Sequence, residues 1–416
     1  MNSSATQKPF IAIACGGTGG HLFPGLAVAE QLQARGCDVA LLISPKEIDQ
    51  SAVKSALERP VGVQALACSA DTLKRELQRG APLQVFTLSA VGLQDRNYFS
   101  FAKSFFQSWK AARKIFKQRK PDAVLAMGGF TSAPPILAAR SFGAKTFLHE
   151  SNTIPGKANR FLARFVDEAF IGFPEASARL KVKKISVTGT PVRPQFSESR
   201  IQNPESSRVA LGLEPSLPTM LVVGGSQGAR GLNDLILSAL PLLAKKNWQW
   251  LHLTGANDLE KVKAAYAALN LPAIVKPFLA EMELAVGAAT ACVSRSGASS
   301  LAEMAAMRLP TALVPLPTSA DNHQFFNAAA FEKTGAAILL DQKNSTPAKV
   351  ADVLAQLVSD ESVRSKIQCA LVQWHAPNAA EVIAENILKA INRSADSLVR
   401  ANHLEATRGQ SSPRSV

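Results

Sequence analysis

The stretch from Cys15 to Pro24, CGGTGGHLFP, limits the fold more than any other part of the chain. It follows Phe10 to Ala14, an apolar run that reads as a buried strand, and precedes Gly25 to Leu32, which reads as the first turns of a helix. Gly16, Gly17, Gly19 and Gly20 let the backbone turn tightly and approach a ligand without a Cβ in the way. The following helix turns its free N–H groups and positive dipole end toward the same space. His21 sits at the junction, where a side chain that can carry a proton near neutral pH would face that space.

The same scheme restarts in the second half: Met220–Val223 reads as a strand, GGSQGARGLND as a glycine turn, and a helix begins near Leu232. Around the first turn, Val39–Ile43, Ala123–Met127, Thr146–His149 and Glu168–Gly172 read as further buried strands, with helices at Leu26–Arg35 and Asn159–Phe165. Around the second, strands are expected at Trp250–Leu253, Ala273–Lys276, Ala291–Ser294 and Ala312–Pro315. Such alternation predicts α/β folding with parallel sheets, whose ligands bind at the carboxyl ends of the strands. Between the halves, the composition shifts to Pro, Ser, Arg and Glu from Thr188 to Ser207, as in a linker. A chain of 416 residues accommodates two such domains facing a cleft. The expected boundaries are 1–190, a linker at 191–207, a second domain at 208–372, a helical segment at 373–393 and a polar, disordered tail at 394–416.

Charge narrows the partners. With 46 Lys and Arg against 32 Asp and Glu, the net charge of +14 favours a polyanion: nucleic acid, an anionic membrane or a phosphate-bearing substrate. The five cysteines are scattered and form no CxxC pair, which suits a reducing cytoplasm better than a disulfide framework. No signal-peptide pattern opens the sequence, and its longest uncharged run, Ala123 to Ala139, is shorter than the roughly 20 residues of a membrane span. On a helical projection of Phe101 to Lys120, Phe101, Phe105, Trp109, Ala112 and Phe116 share one side. Lys103, Lys110, Arg113, Lys114 and Lys117 share another, with Phe106 among them. This is either a surface helix with a solvated basic face or a patch for anionic lipid headgroups, and the two are compatible.

Polar groups at other strand ends are candidates for the cleft. MGGFTSAP, Met127 to Pro134, forms another glycine turn, and HESNTIPGKANR carries His149 and Glu150, either as site groups or as satisfied structural ones. In SRSGASSLAEMAAM, small polar residues open a helix bearing Glu303; such a start can hold a diphosphate while the carboxylate accepts ribose hydroxyls, or it is simply an N-cap with a well-placed acid. Asp321, Asn322, His323 and Gln324 open a further helix and are available to a sugar.

Several chemistries fail. In GxGxxG spacing the third glycine position holds Leu22, and no acid ends the second strand, which disfavours a nicotinamide enzyme. A Walker A loop, HExxH and spaced Cys/His clusters are absent. Nucleic-acid binding explains the charge but not two phosphate-type turns across a cleft.

Taken in order, GGTGGHLFPGLAVA, MGGFTSAP, HESN, TPVR, GGSQGAR, SRSGASSLAE and DNHQ closely resemble the MurG family of bacterial transferases. The resemblance covers roughly residues 9 to 392. It implies a GT-B architecture of two Rossmann-like domains, with the lipid acceptor on the first and the donor nucleotide mostly on the second, and a C-terminal helix that returns to the first. The implied reaction is inverting transfer of N-acetylglucosamine from UDP to the C4 hydroxyl of N-acetylmuramic acid in lipid I, giving lipid II and UDP, with no cofactor and no metal. Position by position, the resemblance makes His21 the candidate base and Glu150 a second candidate for the base or for orienting it. It places Thr18, Gly19 and Gly20 on the diphosphate-sugar side of the cleft, Asn152 on the sugar and Arg193 beside the cleft. It places Ser226 on the donor phosphate, the backbone of Leu279 on uracil, and the helix start Ala298, Ser299, Ser300, Leu301, Ala302 and Glu303 on the donor, with Glu303 on the ribose. Gln324 matches the sugar-reading glutamine. HESN, TPVR and His323 depart from the commoner HEQN, NPVR and glutamine. The implied partners are UDP-N-acetylglucosamine, lipid I, the anionic cytoplasmic face of the inner membrane and other cell-wall synthesis proteins, with no nucleic acid. A related GT-B enzyme acting on diacylglycerol and a non-catalytic peripheral membrane protein are the competing readings.

Overall fold

The computed structural model describes residues 8–16, 19–46, 50, 83–89, 98–196, 203–225 and 228–393. Thr18, Ser226 and the tail from 394 lie outside the described residues. The first sheet contains β1 (Phe10–Ala14), β2 (Asp38–Ile43), β3 (Gln84–Thr87), β4 (Ala123–Ala126), β5 (Lys145–Glu150), β6 (Glu168–Ile171) and β7 (Ile185–Val187). The second contains β8 (Thr219–Val223), β9 (Gln249–Leu253), β10 (Ala273–Lys276), β11 (Ala291–Ser294), β12 (Thr311–Leu313) and β13 (Ile338–Leu339). Their orders are β3-β2-β1-β4-β5-β6-β7 and β10-β9-β8-β11-β12-β13, and the paired strands are parallel throughout. Both sheets therefore reverse direction at their first strand, between β1 and β4 and between β8 and β11. That reversal opens a ligand crevice at the carboxyl ends.

The first domain also contains α1 (Gly19–Ala34), α2 (Tyr98–Gln118), α3 (Ala133–Arg140) and α4 (Lys157–Leu162). The second contains α5 (Pro204–Leu211), α6 (Arg230–Leu243), α7 (Leu259–Ala268), α8 (Met282–Ala288), α9 (Ala298–Ala306), α10 (His323–Lys333), α11 (Pro347–Ser359) and α12 (Glu361–Leu371), and α13 spans 379–393. Alternation along β1 explains the layers. Ile11 and Ile13 join one core with Leu26 and Leu32 of α1, while Ala12 and Ala14 join another with Ile136 of α3. Helix α13 adds Ala380, Ile383, Ala384 and Ile387 to the α1 core, and Arg35, just after α1, pairs with Glu381 at 2.7 Å. Where the chain returns to the first domain, a Cβ on Gly189 would lie 2.2 Å from that of Ala376, so only glycine lets the two crossings touch.

Three local expectations shift. Helix α1 begins at Gly19, inside the glycine turn, and carries Pro24 within it. Residues 204–207, whose composition resembles linker, open α5, because Asn203 Oδ1 accepts the Ser206 N–H and Pro204 occupies the first turn. The innermost face of α2 carries Ser104, Ser108, Ala112 and Phe116, whereas Phe101, Phe105 and Trp109 flank it half-buried. Both serine hydroxyls donate to the Ser89 carbonyl, which allows polar residues on the inner face.

Candidate active site

The first crevice is built from two glycine turns and the side chains they admit. Thr131 donates to the Gly16 carbonyl at 2.8 Å, clamping the turn after β4 onto the turn after β1. His21, half-buried on the first turn of α1, lies over Gly128: a Cβ there would come within 2.7 Å of the imidazole Cε1 and 2.9 Å of Nδ1. Gly128 also has φ 112°, so both space and backbone require glycine beneath this histidine. Asn159 of α4 closes the same corner, its Nδ2 lying 3.4 Å from that Cβ position.

His149 and Glu150 are framework. His149 is fully buried: its Nε2–H donates to the Gly189 carbonyl at 3.0 Å, and Nδ1 accepts from the Ser151 hydroxyl at 3.2 Å. Burial lowers its pKa, keeping it neutral. The carboxylate of Glu150 accepts four hydrogen bonds of 2.9–3.0 Å, from the Asn152 and Gly156 N–H groups and the Asn152 and Asn159 amides. With its acceptor positions taken, Glu150 shapes the loop.

From that loop the network crosses between domains through Asn327, a fully buried residue of α10 that sequence reasoning missed. Its Oδ1 accepts from the Thr153 N–H and hydroxyl at 3.0 and 2.9 Å, and its Nδ2 donates to Asn152 Oδ1 and the Ser296 carbonyl at 3.0 and 3.1 Å. Ser296 in turn donates to the Gln324 carbonyl at 2.7 Å, while the Gln324 side chain accepts from the Leu316 N–H. Asn152, Gln324 and the start of α9 are thereby one unit. The only sequence signal for Asn327 was a polar residue on an otherwise apolar helix stretch. Arg160 and Asp321 add an ion pair across the same seam.

The second crevice offers backbone. Helix α9 starts at Gly297, which supplies no side-chain cap, and Leu301 N–H closes the first turn on the Gly297 carbonyl. The N–H groups of Ala298, Ser299 and Ser300 precede that bond and are the ones a helix leaves for an anion. Leu301 packs into the core and Ala302 and Ser299 are half-buried, so Leu301 can reach the cleft only through its backbone. Leu279 is likewise buried, packed with Met304 of α9. Arg295, another residue missed from sequence, ties the ends of β11 and β12 by donating to the Val314 and Pro315 carbonyls and Gln342.

Glu303 meets Arg193 at 3.5 Å, and the Arg193 guanidinium lies 4.2 Å from the ring centre of Phe23 on α1 and 5.1 Å from that of Phe196. Gly19 permits this arrangement, since its Cβ would sit 3.1 Å from the Phe23 ring. Arg193 Nε is buried without a hydrogen-bond partner among the described residues. Burial raises the Glu303 pKa to about 7 even though Arg193 pulls it down. Among the departures, Ser151 bonds His149, Thr190 packs against Gly172, and His323 donates Nδ1–H to the Ala320 carbonyl. Among the described residues, no group of three or more His, Cys, Asp or Glu is gathered as metal ligands, and no helix is long and apolar enough to cross a membrane.

Two Rossmann-like domains with facing crevices, one presenting a histidine and the other a bare helix start with a carboxylate, define a GT-B hexosyltransferase that uses a UDP-sugar. Comparison with known proteins agrees. The glycosyltransferase family 28 N-terminal domain matches residues 11–171, and the family 28 C-terminal domain matches residues 219–386. The chain belongs to glycosyltransferase family 28. It is 33% identical over 92% of its length to a UDP-N-acetylglucosamine–N-acetylmuramyl-(pentapeptide) pyrophosphoryl-undecaprenol N-acetylglucosamine transferase of Anaeromyxobacter sp. (strain K), covering 93% of that protein. A Listeria welshimeri protein of the same name is 33% identical over 91% of this chain and 98% of its own length. Among solved structures, Acinetobacter baumannii MurG superposes with a TM-score of 0.67 at 26% identity, over 92% of this chain and 100% of that one. The Neisseria meningitidis UDP-GlcNAc 2-epimerase bound to UDP-GlcNAc shares the fold, with a TM-score of 0.63 at 14% identity over 91% of this chain and 100% of that one.

Proposed function

We propose that the protein transfers N-acetylglucosamine from UDP-N-acetylglucosamine to the C4 hydroxyl of the N-acetylmuramic acid of lipid I, forming lipid II and UDP. The observation that carries this reading is the division of the cleft, with His21 seated on the Gly128–Gly129 turn and the uncapped start of α9 opposite. His21 takes the acceptor proton as the hydroxyl oxygen attacks the anomeric carbon. The bond to UDP breaks as the new bond forms, so one displacement inverts the centre. The backbone N–H groups at the start of α9 and the helix dipole stabilise the charge growing on the diphosphate. Glu303 accepts from the ribose, and Arg193, drawn away from it, has donors for the phosphates. Incubating purified protein with UDP-N-acetylglucosamine and lipid I should yield lipid II and UDP in equal amounts. Release of UDP with another acceptor but none with lipid I would reject the assignment.

The acceptor's polyprenyl chain requires a lipid surface beside His21, and we infer that α2 provides it at the cytoplasmic face of the inner membrane. Lys110 lies 4.7 Å from the Phe106 ring centre and Arg113 lies 4.9 Å from that of Trp109. Phe99, Phe106 and Phe130 are exposed, and the Phe101 and Phe130 ring centres are 5.8 Å apart. Phe130 follows Gly129, so the aromatic patch runs up to the histidine. Lys103, Lys114 and Lys117 extend the basic face for anionic headgroups. Replacing Lys110, Arg113 and Lys114 by Glu should weaken sedimentation with anionic vesicles by at least tenfold, at about 1 kcal/mol per charge. Unchanged sedimentation would return the helix to a purely structural role.

A further inference from the structure

The second domain buries a chain of polar side chains behind its glycine turn. Asn233, near the start of α6, is fully buried in a helix whose other buried residues are apolar. Its Nδ2 donates to the Thr254 carbonyl at 3.0 Å and to Asp258 Oδ2 at 2.8 Å. Both amide hydrogens are then on acceptors, so Oδ1, 3.1 Å from His252 Nε2, faces a donor there. His252, fully buried on β9, has its pKa pulled down to about 3 by burial and is neutral. Its one N–H therefore sits on Nε2, and Nδ1 accepts the hydroxyl of Tyr266, from α7, at 3.1 Å.

The chain ends on the turn between β8 and α6. Gly228, with φ 75°, lies against the peptide that Asn233 holds: a Cβ there would come within 2.6 Å of the Thr254 carbonyl oxygen and 2.8 Å of Gly255 Cα. One carbonyl oxygen thus takes the Asn233 amide and abuts the turn. Asp258 precedes α7, where a carboxylate ordinarily caps the helix, yet its side chain makes no capping bond. It is turned onto α6 instead, with Oδ2 on Asn233 and Oδ1 3.5 Å from Nε of Arg230, the first residue of that helix. The Asn233 N–H bonds the Ala229 carbonyl at 2.9 Å, which joins the end of the turn to the same unit. At the turn's other end, the Arg295 N–H bonds the Val223 carbonyl at 3.3 Å, two residues before Gly297 and the start of α9.

We propose that Asn233 is a positioning residue for the donor diphosphate, acting through the Thr254 peptide on the glycine turn between β8 and α6. The inference rests on the reading that this crevice holds the donor. Gly225 has φ 101° and open space where a Cβ would stand, so the turn presents backbone at that point. Backbone has no rotamer with which to adjust to a ligand, and its placement is set by what lies behind it. A displaced turn would lose phosphate contacts together, while uracil, assigned to the backbone of Leu279, would keep its own.

UDP and uridine, which lacks the phosphates, are titrated separately into the full chain by calorimetry. Asn233→Ala should weaken UDP binding about tenfold and leave uridine affinity within about twofold, a split that general loosening of the fold would not give. Asn233→Gln keeps the amide and should recover part of the loss, and Asn233→Ser takes the place of the alanine variant if that one does not fold. Tyr266→Phe removes the hydroxyl at the far end of the chain and leaves both Asn233 amide bonds. It should lower the unfolding temperature while UDP affinity stays within about twofold. The proposal falls if Asn233→Ala leaves UDP affinity unchanged, weakens uridine equally, or is matched by Tyr266→Phe. No acceptor enters these titrations, so failure of the lipid I assignment would leave them intact. A wild type that binds UDP no better than uridine would overturn the donor reading of the crevice, and this proposal with it.

Discussion

The two crevices share strand order and glycine turns, yet one is filled with side chains and the other is lined by backbone. Between β1 and β4 the space holds His21, Asn159 and the carboxylate of Glu150, each seated by glycine or by several hydrogen bonds. Between β8 and β11 the corresponding space meets the start of α9 at Gly297, with no capping side chain. A hydroxyl nucleophile needs a positioned base, and a diphosphate needs N–H groups and positive charge. The same topology has been specialised twice, once by adding side chains and once by withholding them.

Removing His21 is the most severe way to break that contrast. His21→Ala should lower turnover by about 10²–10⁴-fold, the usual range for losing a general base. Affinity for UDP, measured by calorimetry, should remain close to wild type because the donor side is untouched. A matching loss of UDP affinity would show that the two crevices are not divided in this way.

Glu303 sharpens the comparison through pH. In the free protein burial lifts its pKa from 4.5 to about 7. A ribose donating two hydroxyls favours the ionised form, so donor binding should release a proton near neutral pH. Affinity for UDP should therefore rise as pH increases toward about 7 and level off above it. For folding the sign is opposite: a raised folded-state pKa favours the native state fully below about 4.5, and this contribution is lost as pH rises through about 7. Glu303→Gln should weaken UDP binding about tenfold, in line with the loss of hydrogen bonds to a charged acceptor, and flatten its pH profile. A profile unchanged in the glutamine variant would assign the proton elsewhere.

The sheets were legible because buried parallel strands are continuous apolar runs, and the expected cores of β1, β2, β4, β5, β6 and β8 through β12 lie where the structure has strands. The edges were not. Strands β3, β7 and β13 are half-exposed and short, so their sequences lack that signature. At the site, His21 and the glycine turns stood out because their chemistry is local in sequence. The environment of Glu150 was hidden, since its four donors come from residues 152 to 159 folded back upon it. Asn327 was hidden further still, because its partners Asn152 and Thr153 belong to the other domain.

That residue supports the last and smallest test. Asn327→Ala would leave the buried Thr153 N–H without its partner, at about 1–3 kcal/mol for an unsatisfied group, and would free the half-buried Asn152 Oδ1. Thermal unfolding should shift downward by the few degrees that such a loss produces. Because the same side chain ties Asn152 to the Ser296 carbonyl, the KM for the donor should rise severalfold while the KM for lipid I changes less. Asn327→Asp keeps the acceptor for Thr153 but loses the amide donor, so it should retain part of the stability and still raise the donor KM. Loss of stability with both KM values unchanged would make Asn327 a plain interdomain fastener. A selective rise for the donor would show that the side-chain-filled crevice helps align the backbone-lined one, and would limit how separate the two halves are.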